Sequence, residues 1–474
     1  MTLPGPPSPA TLQRLREAAG PGGVIDDPVL MAPYLREWRD RFTGKTPVIL
    51  RPATSEAVSR IVRICSETRT ALVPQGGNTG LVGGQIPAGD GSQVLINLGR
   101  LNSIRGADIS ASTITVDAGC ILQDVQAAAE ANGKLFPLSL ASEGSATIGG
   151  LISTNAGGTA VLAYGNMREL VLGLEAVLPD GRIWNGLRAL RKDNTGYDLR
   201  NLLIGAEGTL GIVTGAVLKL FPKPAAMATA FVGTRSVEDA VRLLNMVRDE
   251  GLFVTTFELI PDIGLDFVIR HVPGTRTPLQ ARHAWYVLLE VSLFGRQDSA
   301  ETQALLEKAQ EAGVIVDAAL AQSGSQRDAF WKLRDALSEA QKPEGGSIKH
   351  DVSVPVSSIP AFMEAASGAV TQRIPGARPV AFGHMGDGNI HFNVSQPVGA
   401  DKAAFLSRID EVNRIVHDLV HSFEGSISAE HGLGQAKVDE IPRYKSAAEM
   451  DAMRAIKRAL DPSGIMNPGK LVRP

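Results

Sequence analysis

The chain has 474 residues, 20% of them charged, and a formal net charge of −3 at pH 7. This length allows two or three domains with full cores, and the small net charge argues against a protein that binds nucleic acid. The two cysteines, Cys65 and Cys120, show neither a Cys-x-x-Cys nor a metal-type spacing, which argues against a disulfide framework and suits a reducing compartment.

The N-terminal sequence has no basic segment followed by an apolar core, and nowhere do about eighteen apolar residues follow one another. We therefore expect a cytoplasmic protein without a transmembrane segment. Residues 1–43 predict a helical segment, with a helix at 12–19.

From residue 44 the pattern changes to short strands that alternate with helices, which is typical of an α/β layer. Strands are predicted at 48–50 and 71–73. The helix between them is predicted to begin at Ser55, as its N-cap, and to end near residue 67. We take residues 44–223 as the first large domain.

Three glycine-rich segments lie in this domain, at 74–84, 142–158 and 194–213. None has the spacing of the two common nucleotide-binding loops. Consecutive backbone N–H groups in such segments can bind phosphate oxygens, and Asn78 and Thr79 would add side-chain donors. A flexible surface loop explains the first segment equally well, but three segments together predict a long, flat ligand that carries phosphate.

Residues 224–425 predict a second domain, with a mixed sheet covered by helices. Its helices are predicted at 237–249, 299–312, 325–341 and 403–423, with a strand at 284–291. In the third helix Arg334 and Ser338 are i and i+4 and share one face, so both can contact one carboxylate. A solvated helix face is the alternative, and these two residues alone favour it.

The stretch around Asp387-Gly388 has alternating apolar ends, which predicts a β-hairpin. With these two as the loop residues, His384 lies directly opposite His391, and Asn393 follows on the same face. Two histidines with a nearby carboxylate are typical ligands of a divalent metal. Ordinary polar residues on an exposed hairpin are the alternative.

The candidate carboxylate is Glu430, which is followed by His431 and Gly432. Glycine at this place lets the backbone approach a ligand closely. Both side chains before it are therefore candidates for one site.

Several motifs together resemble the FAD-dependent D-2-hydroxyacid dehydrogenases of the vanillyl-alcohol oxidase, or para-cresol methylhydroxylase (PCMH), type. They are the Gln-Gly-Gly-Asn-Thr-Gly loop at 75–80, His-Met-Gly-Asp-Gly-Asn-Ile-His at 384–391, Glu-His-Gly at 430–432 and the segment 461–470. The resemblance implies an α+β fold with a PCMH-type FAD-binding domain and an α/β substrate (cap) domain carrying a mixed sheet. It also implies that a C-terminal segment, 426–474, returns to the FAD domain.

The resemblance implies FAD as cofactor, bound along the three glycine-rich segments. No histidine precedes residue 271 and neither cysteine lies in a glycine-rich segment, so we expect FAD to be bound non-covalently. The residues expected to contact FAD are Pro74, Gln75, Gly76, Gly77, Asn78, Thr79, Gly80, Gly144, Thr147, Gly149, Gly150, Ser153, Asn155, Gly157, Gly158, Glu207, Gly208, Gly211, Ile212 and Asn467.

The resemblance also implies a divalent metal, expected to be Zn²⁺, with His384, His391 and Glu430 as ligands. Such an ion lowers the pKa of the substrate hydroxyl as a Lewis acid. His431 is then expected to take the hydroxyl proton as general base, while hydride passes to the flavin.

The implied substrate is a D-2-hydroxyacid that is oxidised to the 2-oxoacid. The residues expected to bind it are Arg334, Ser338, Lys349, Asn393 and His431. So many donors favour a dicarboxylate such as D-2-hydroxyglutarate. A dehydrogenase of the same group for D-lactate, D-malate or glycolate and a non-catalytic FAD- or metal-binding subunit are the alternatives. We expect a separate electron acceptor, such as electron-transfer flavoprotein or a quinone, and a homodimer.

Overall fold

The computed structural model describes residues 5–295 and 299–473. The chain divides into two compact units. The first unit consists of Met1–Gly158, Gly165–Lys223 and Glu430–Pro474, and the second consists of Thr159–Tyr164 and Pro224–Ala429. Among the described helices, none is both long enough and apolar enough to cross a membrane.

The strands of the first unit form a four-stranded sheet, a five-stranded sheet and a two-stranded pair. They are β1 Val24–Ile25, β2 Ile49–Leu50, β3 Ala71–Gln75, β4 Gln93–Asn97, β5 Ile104–Asp108, β6 Thr113–Asp117, β7 Lys134–Leu135, β8 Val171–Val177, β9 Ile183–Gly186, β10 Ile212–Lys219 and β11 Phe221–Pro222. The first sheet has the order β1-β2-β4-β3, with β2 and β3 parallel to β4. The second is antiparallel, in the order β5-β6-β10-β8-β9, and β11 pairs with β7.

The helices of the first unit are mostly short. They are Pro9–Ala19, Pro28–Met31, Ser55–Thr68, Leu122–Ala131, Ile148–Thr154, Met167–Leu170, Leu199–Leu203, Ile441–Tyr444 and Ala447–Leu460. The N-cap of the third is Thr54, whose side chain accepts from the N–H of Ala57, and not Ser55 as predicted. Ser55 is instead buried and donates its hydroxyl hydrogen to Glu175 at 2.7 Å, which takes it away from the capping position.

The parallel strands β3 and β4 carry the first glycine-rich segment. Both are buried, with Val73 and Leu95 packed in one core cluster with Ile49 of β2. Because β3 ends at Gln75, the segment starts at the edge of a rigid sheet, and its backbone is held in place from that end.

The strands of the second unit form one sheet. They are β12 Ala226–Thr234, β13 Val254–Pro261, β14 Trp285–Leu293, β15 Asp317–Leu320, β16 Ser347–Lys349, β17 Val352–Ser353, β18 Arg378–His384 and β19 Asn389–Ser395. The order is β15-β12-β14-β13-β18-β19-β16, and β17 also pairs with β19. The described pairings are all antiparallel, so the predicted mixed sheet is wrong. The reason is that β14 inserts between β12 and β13 and separates these two parallel strands.

The helices of the second unit are Val161–Tyr164, Val237–Asp249, Asp262–His271, Ala300–Glu311, Gly324–Asp335, Leu337–Ala340, Ile359–Arg373, Lys402–Leu406 and Ile409–Ser422. The helix predicted at 325–341 is interrupted at Ala336, and that predicted at 403–423 is interrupted after Leu406. One core of this unit combines aliphatic side chains with aromatic ones, among them Phe231, Phe267 and Phe382.

Candidate active site

In the first unit, the glycine-rich segment after β3 lies directly against the segment 142–158. A Cβ on Gly77 would lie 1.8 Å from the carbonyl oxygen of Ser145, and one on Gly76 would lie 2.1 Å from Thr147 Oγ1. Any larger residue would push the two segments apart, which is the physical reason for glycine at both positions.

These segments line a cleft of the first unit. Thr147 Oγ1 and Asn467 Oδ1 in its lining are buried and have no hydrogen-bond partner within residues 5–295 and 299–473. Buried polar atoms normally have partners, so the cleft fits a ligand that supplies these bonds. The predicted cofactor residues that line it are Pro74, Gln75, Gly76, Gly77, Asn78, Thr79, Gly80, Thr147, Gly149, Gly150, Ser153, Glu207, Gly208, Gly211, Ile212 and Asn467.

Four predicted cofactor residues do not line the cleft. They are Gly144, Asn155, Gly157 and Gly158. Asn155 ends the helix Ile148–Thr154 with φ +51, and its Oδ1 accepts from the N–H of Arg168 at 2.9 Å. Gly158 packs against Ser139, whose carbonyl oxygen would lie 2.0 Å from an added Cβ. Both residues therefore shape the backbone around the cleft.

The side chain of Asn78 is not available as the phosphate donor that the sequence predicts. Its Nδ2 donates to the carbonyl oxygens of Pro33 at 3.0 Å and Arg36 at 2.9 Å. Its Oδ1 accepts from Gln85 at 3.1 Å. Asn78 can therefore contribute to the cleft only through its backbone.

The sequence analysis also missed several lining residues. They are Val82, Gly84, Gln85, Leu98, Ala118, Ala146, Leu151, Thr154 and Val213. Val82 and Gly84 lie within the first glycine-rich segment and Gln85 follows it directly, so their position in the sequence was a usable signal. Leu98 and Ala118 are apolar residues that follow β4 and β6, and nothing local distinguishes them from core residues.

His431 lines the same cleft, and Glu207 holds the backbone that follows it. The Glu207 carboxylate accepts from the N–H of Leu433 at 2.7 Å and of Gly434 at 2.8 Å. Burial raises the pKa of Glu207 above its ordinary value, although these two N–H groups oppose the shift. Gly432 has φ +78, and a Cβ there would lie 2.8 Å from Glu207 Oε1. The turn after His431 thus requires glycine.

In the second unit, the hairpin of β18 and β19 has a longer turn than the sequence predicts. Residues 385–387 form a 3₁₀ turn, and Phe382, not His384, lies opposite His391. The predicted two-residue loop is therefore wrong, and the pairing of the two strands differs from the predicted register by two residues. A shift of two residues leaves side chains on the same face. The His384 and His391 rings still lie together, with centroids 5.3 Å apart.

One face of this sheet carries most of the remaining predicted residues. Across the ladder, Asn393 lies opposite Lys349 on β16, and His384 lies opposite Glu258 on β13. Directly paired residues point to one face, and so do residues two apart. His391 and Asn393 therefore share that face with His384.

Glu258 is a site residue that the sequence analysis missed. Its side chain is fully buried, and its two oxygens accept from His384 Nδ1 at 2.5 Å and from Arg334 Nε at 2.6 Å. Burial alone would raise the pKa of Glu258, but the charge of Arg334 and the hydrogen bonds from His384 and Arg334 lower it to about 2. The available signal was a single carboxylate in an apolar strand, since a buried charge requires partners.

Two of the predicted metal ligands, His384 and His391, lie side by side within the second unit. Glu430, the third predicted ligand, begins the C-terminal part of the first unit, and its place in a metal site stays a prediction. Because His384 Nδ1 bonds to Glu258, Nε2 is the ring nitrogen through which His384 would bind a metal. Two imidazoles and a carboxylate suit several divalent ions.

The predicted substrate residues of the second unit also come together. Lys349 Nζ donates to the backbone carbonyl of Ser338 at 3.3 Å, and the Arg334 guanidinium lies 5.3 Å from the centre of the Phe382 ring. The break at Ala336 separates Arg334 and Ser338 into two helices, so they do not share one regular helix face. Their proximity depends on the fold around the sheet.

Comparison with known proteins agrees with this arrangement. Residues 46–186 match the family model for the FAD binding domain, and residues 223–471 match that for FAD linked oxidases, C-terminal domain. The chain is 36% identical over 459 residues to a protein of Arabidopsis thaliana named D-2-hydroxyglutarate dehydrogenase, mitochondrial, covering 96% of this chain and 80% of that one. It is 37% identical to the D-2-hydroxyglutarate dehydrogenase of Xanthomonas citri pv. viticola, covering 94% and 93%.

The fold has a solved counterpart. A structure of p-cresol methylhydroxylase with substrate bound matches with a TM-score of 0.77 at 17% identity, covering 97% of this chain and 96% of that chain. This likeness confirms the expected PCMH-type fold. Since the oxidase model spans more than half of the sequence and the relatives align along nearly all of it, the chain belongs to the family of FAD-linked oxidases.

Proposed function

We propose that the protein is an FAD-dependent dehydrogenase that oxidises D-2-hydroxyglutarate, a D-2-hydroxyacid with a second carboxylate, to its 2-oxoacid. The observation that carries this proposal is the sheet face of the second unit, where two imidazoles lie beside Asn393 and Lys349. The names of the two relatives support the same substrate.

The cleft of the first unit fits FAD. Its close-packed glycine backbone can present N–H groups to a pyrophosphate, and Thr147 Oγ1 and Asn467 Oδ1 offer unused hydrogen-bonding capacity. When bound, FAD supplies the hydride acceptor. We propose non-covalent binding, because Cys65 and Cys120 are buried and lie outside the cleft lining. Burial raises the pKa of these thiols to about 12 and about 11, and thiols so rarely ionised are poor nucleophiles.

The donor set of His384, His391 and Glu430 fits a divalent metal, for which we propose Zn²⁺. The chemistry that a metal supplies there is Lewis-acid polarisation of the substrate hydroxyl. Glu258 holds the His384 ring through Nδ1, so Nε2 would be the nitrogen that binds the ion.

Side chains of the protein bind the substrate and accept its proton. Arg334, Lys349 and Asn393 bind the two substrate carboxylates, with Ser338 beside Lys349. His431 takes the hydroxyl proton at a ring nitrogen as general base, on a segment that Glu207 holds in place. A substrate without the second carboxylate lacks a charge-assisted bond to Lys349, which is a basis for selecting against it.

The test is anaerobic reduction of the bound flavin by the substrate, monitored as the loss of the flavin's visible absorbance. We expect D-2-hydroxyglutarate to bleach the flavin, whereas its L enantiomer does not, and D-lactate to bleach it far more slowly. Chelator treatment should stop the reaction and Zn²⁺ should restore it. Bleaching by D-lactate alone would refute the carboxylate assignment, and full activity after complete metal removal would refute the metal assignment.

A further inference from the structure

We propose that Glu258 is a positioning residue that couples the metal site to the substrate site, because one carboxylate holds both His384 and Arg334. The inference rests on the function proposed above and adds to it a residue outside the ligand and substrate sets. Its carboxylate fixes the orientation of two groups that have different tasks.

The position of Glu258 is set by the sheet. It lies on β13 directly opposite His384 on β18, and its side chain has no exposed surface. Oε1 accepts from His384 Nδ1 and Oε2 accepts from Arg334 Nε, at 2.5 and 2.6 Å. A carboxylate removed from water is costly unless it is paired and hydrogen-bonded. Here each oxygen has its own donor, so both donors are needed to keep it charged.

For His384, the bond to Glu258 selects the tautomer. The hydrogen on Nδ1 is directed to the carboxylate, so Nε2 is the ring nitrogen that carries the lone pair with which His384 would bind a metal. A carboxylate behind a metal-bound imidazole also makes the imidazole more basic, and removing such a partner typically costs about 10- to 100-fold in metal affinity.

For Arg334, the same carboxylate occupies Nε and leaves the two terminal nitrogens for a ligand. Across residues 5–295 and 299–473, Glu258 is the hydrogen-bond partner of this guanidinium. The Phe382 ring lies against its plane, at 5.3 Å. Two terminal nitrogens in a fixed plane are the geometry of a bidentate carboxylate clamp.

The sheet also contains a matched control. Glu290 on β14 is 3% exposed and accepts from Arg327 Nε at 2.6 Å, from Arg327 Nη2 at 3.1 Å and from Thr229 at 2.7 Å. It is a buried glutamate with an arginine partner, as Glu258 is, but it contacts no predicted ligand. A substitution of Glu290 therefore shows the effect of losing a buried charge without the loss of a bond to His384 or Arg334.

The experiment compares Glu258→Gln with Glu290→Gln in the full-length flavoprotein. Zn²⁺ affinity is measured after metal removal, by competition with a chromogenic chelator, and KM is measured for D-2-hydroxyglutarate. For Glu258→Gln we expect Zn²⁺ binding to weaken about 10- to 100-fold and KM to rise about 10-fold or more, since bonds to charged groups contribute about 1.5–3 kcal/mol. Glu290→Gln should change both by less than about 2-fold, because Glu290 bonds to Arg327 and Thr229 and to neither His384 nor Arg334.

If Glu258→Gln does not fold, Glu258→Asp replaces it, which keeps the charge and withdraws both oxygens by one methylene. It should weaken Zn²⁺ binding and raise KM in the same direction. Wild-type Zn²⁺ affinity in the variant, or a change in only one of the two quantities, would overturn the coupling. If the wild-type protein itself neither binds Zn²⁺ nor is reduced by D-2-hydroxyglutarate, the proposed function fails instead.

Discussion

Replacing Gly77 with alanine should strongly weaken FAD binding. The added Cβ would lie 1.8 Å from the carbonyl oxygen of Ser145, whereas ordinary contacts begin at 3.4 Å, so the backbone must move by 1.6 Å. Site groups generally have to be held within about 0.5 Å of their working geometry. Overpacking of this kind costs about 1–3 kcal/mol, which corresponds to an affinity about 5 to 150 times lower.

The assay is a titration of flavin-free protein with FAD, in which binding is measured as the change in flavin fluorescence. Gly89→Ala is the matched control, because a Cβ at Gly89 meets nothing within 4 Å. Circular dichroism of both variants shows whether the fold is kept. A folded Gly77→Ala variant with wild-type affinity would refute the reasoning, since it would mean that the two segments can separate without consequence for the cleft.

Three further predictions concern ion pairs and the substrate. Lys457→Met should lower the free energy of unfolding by about 3–5 kcal/mol in urea, because it leaves the buried Asp461 carboxylate without its cation; a loss under about 1 kcal/mol contradicts this. Burial raises the pKa of Glu175, but hydrogen bonds from Arg105, Ser55 and Thr214 and the charge of Arg105 together lower it below its usual 4.5. The contribution of Glu175 to stability is therefore present above pH 4.5 and lost as pH falls below this value. The melting temperature of Glu175→Gln should therefore decline less on acidification than that of the wild type. An equal decline in the two proteins would contradict the prediction. Lys349→Met should raise KM for D-2-hydroxyglutarate about 10-fold or more, while it changes KM for D-lactate by less than about 2-fold. Equal changes in the two KM values would show that Lys349 does not bind the second carboxylate.

Features that depend on nearby residues could be predicted from the sequence. The glycine run after β3 indicated a ligand-binding backbone, and residues 74–80 indeed line the cleft. The face shared by His384 and His391 was also predictable, because an error of two residues in the hairpin register does not change the face. Local chemistry and the period of the strand were sufficient for both.

Features that depend on distant partners could not be predicted. The partners of Glu258 are 76 and 126 residues away in the chain, so no local pattern connects them. The helix break at Ala336 has no glycine or proline to mark it. The separation of β12 from β13 by β14 is likewise a matter of topology.

The position of β19 within its sheet has a consequence for motion. It is hydrogen-bonded to β18 along one edge and to β16 and β17 along the other, and Ile390, Phe392 and Val394 are fully buried. Amides in such a strand exchange with solvent only through large-scale opening. The backbone that carries His391 and Asn393 should therefore be among the slowest-exchanging parts of the protein. Any movement that admits a substrate must come from the surrounding loops and helices.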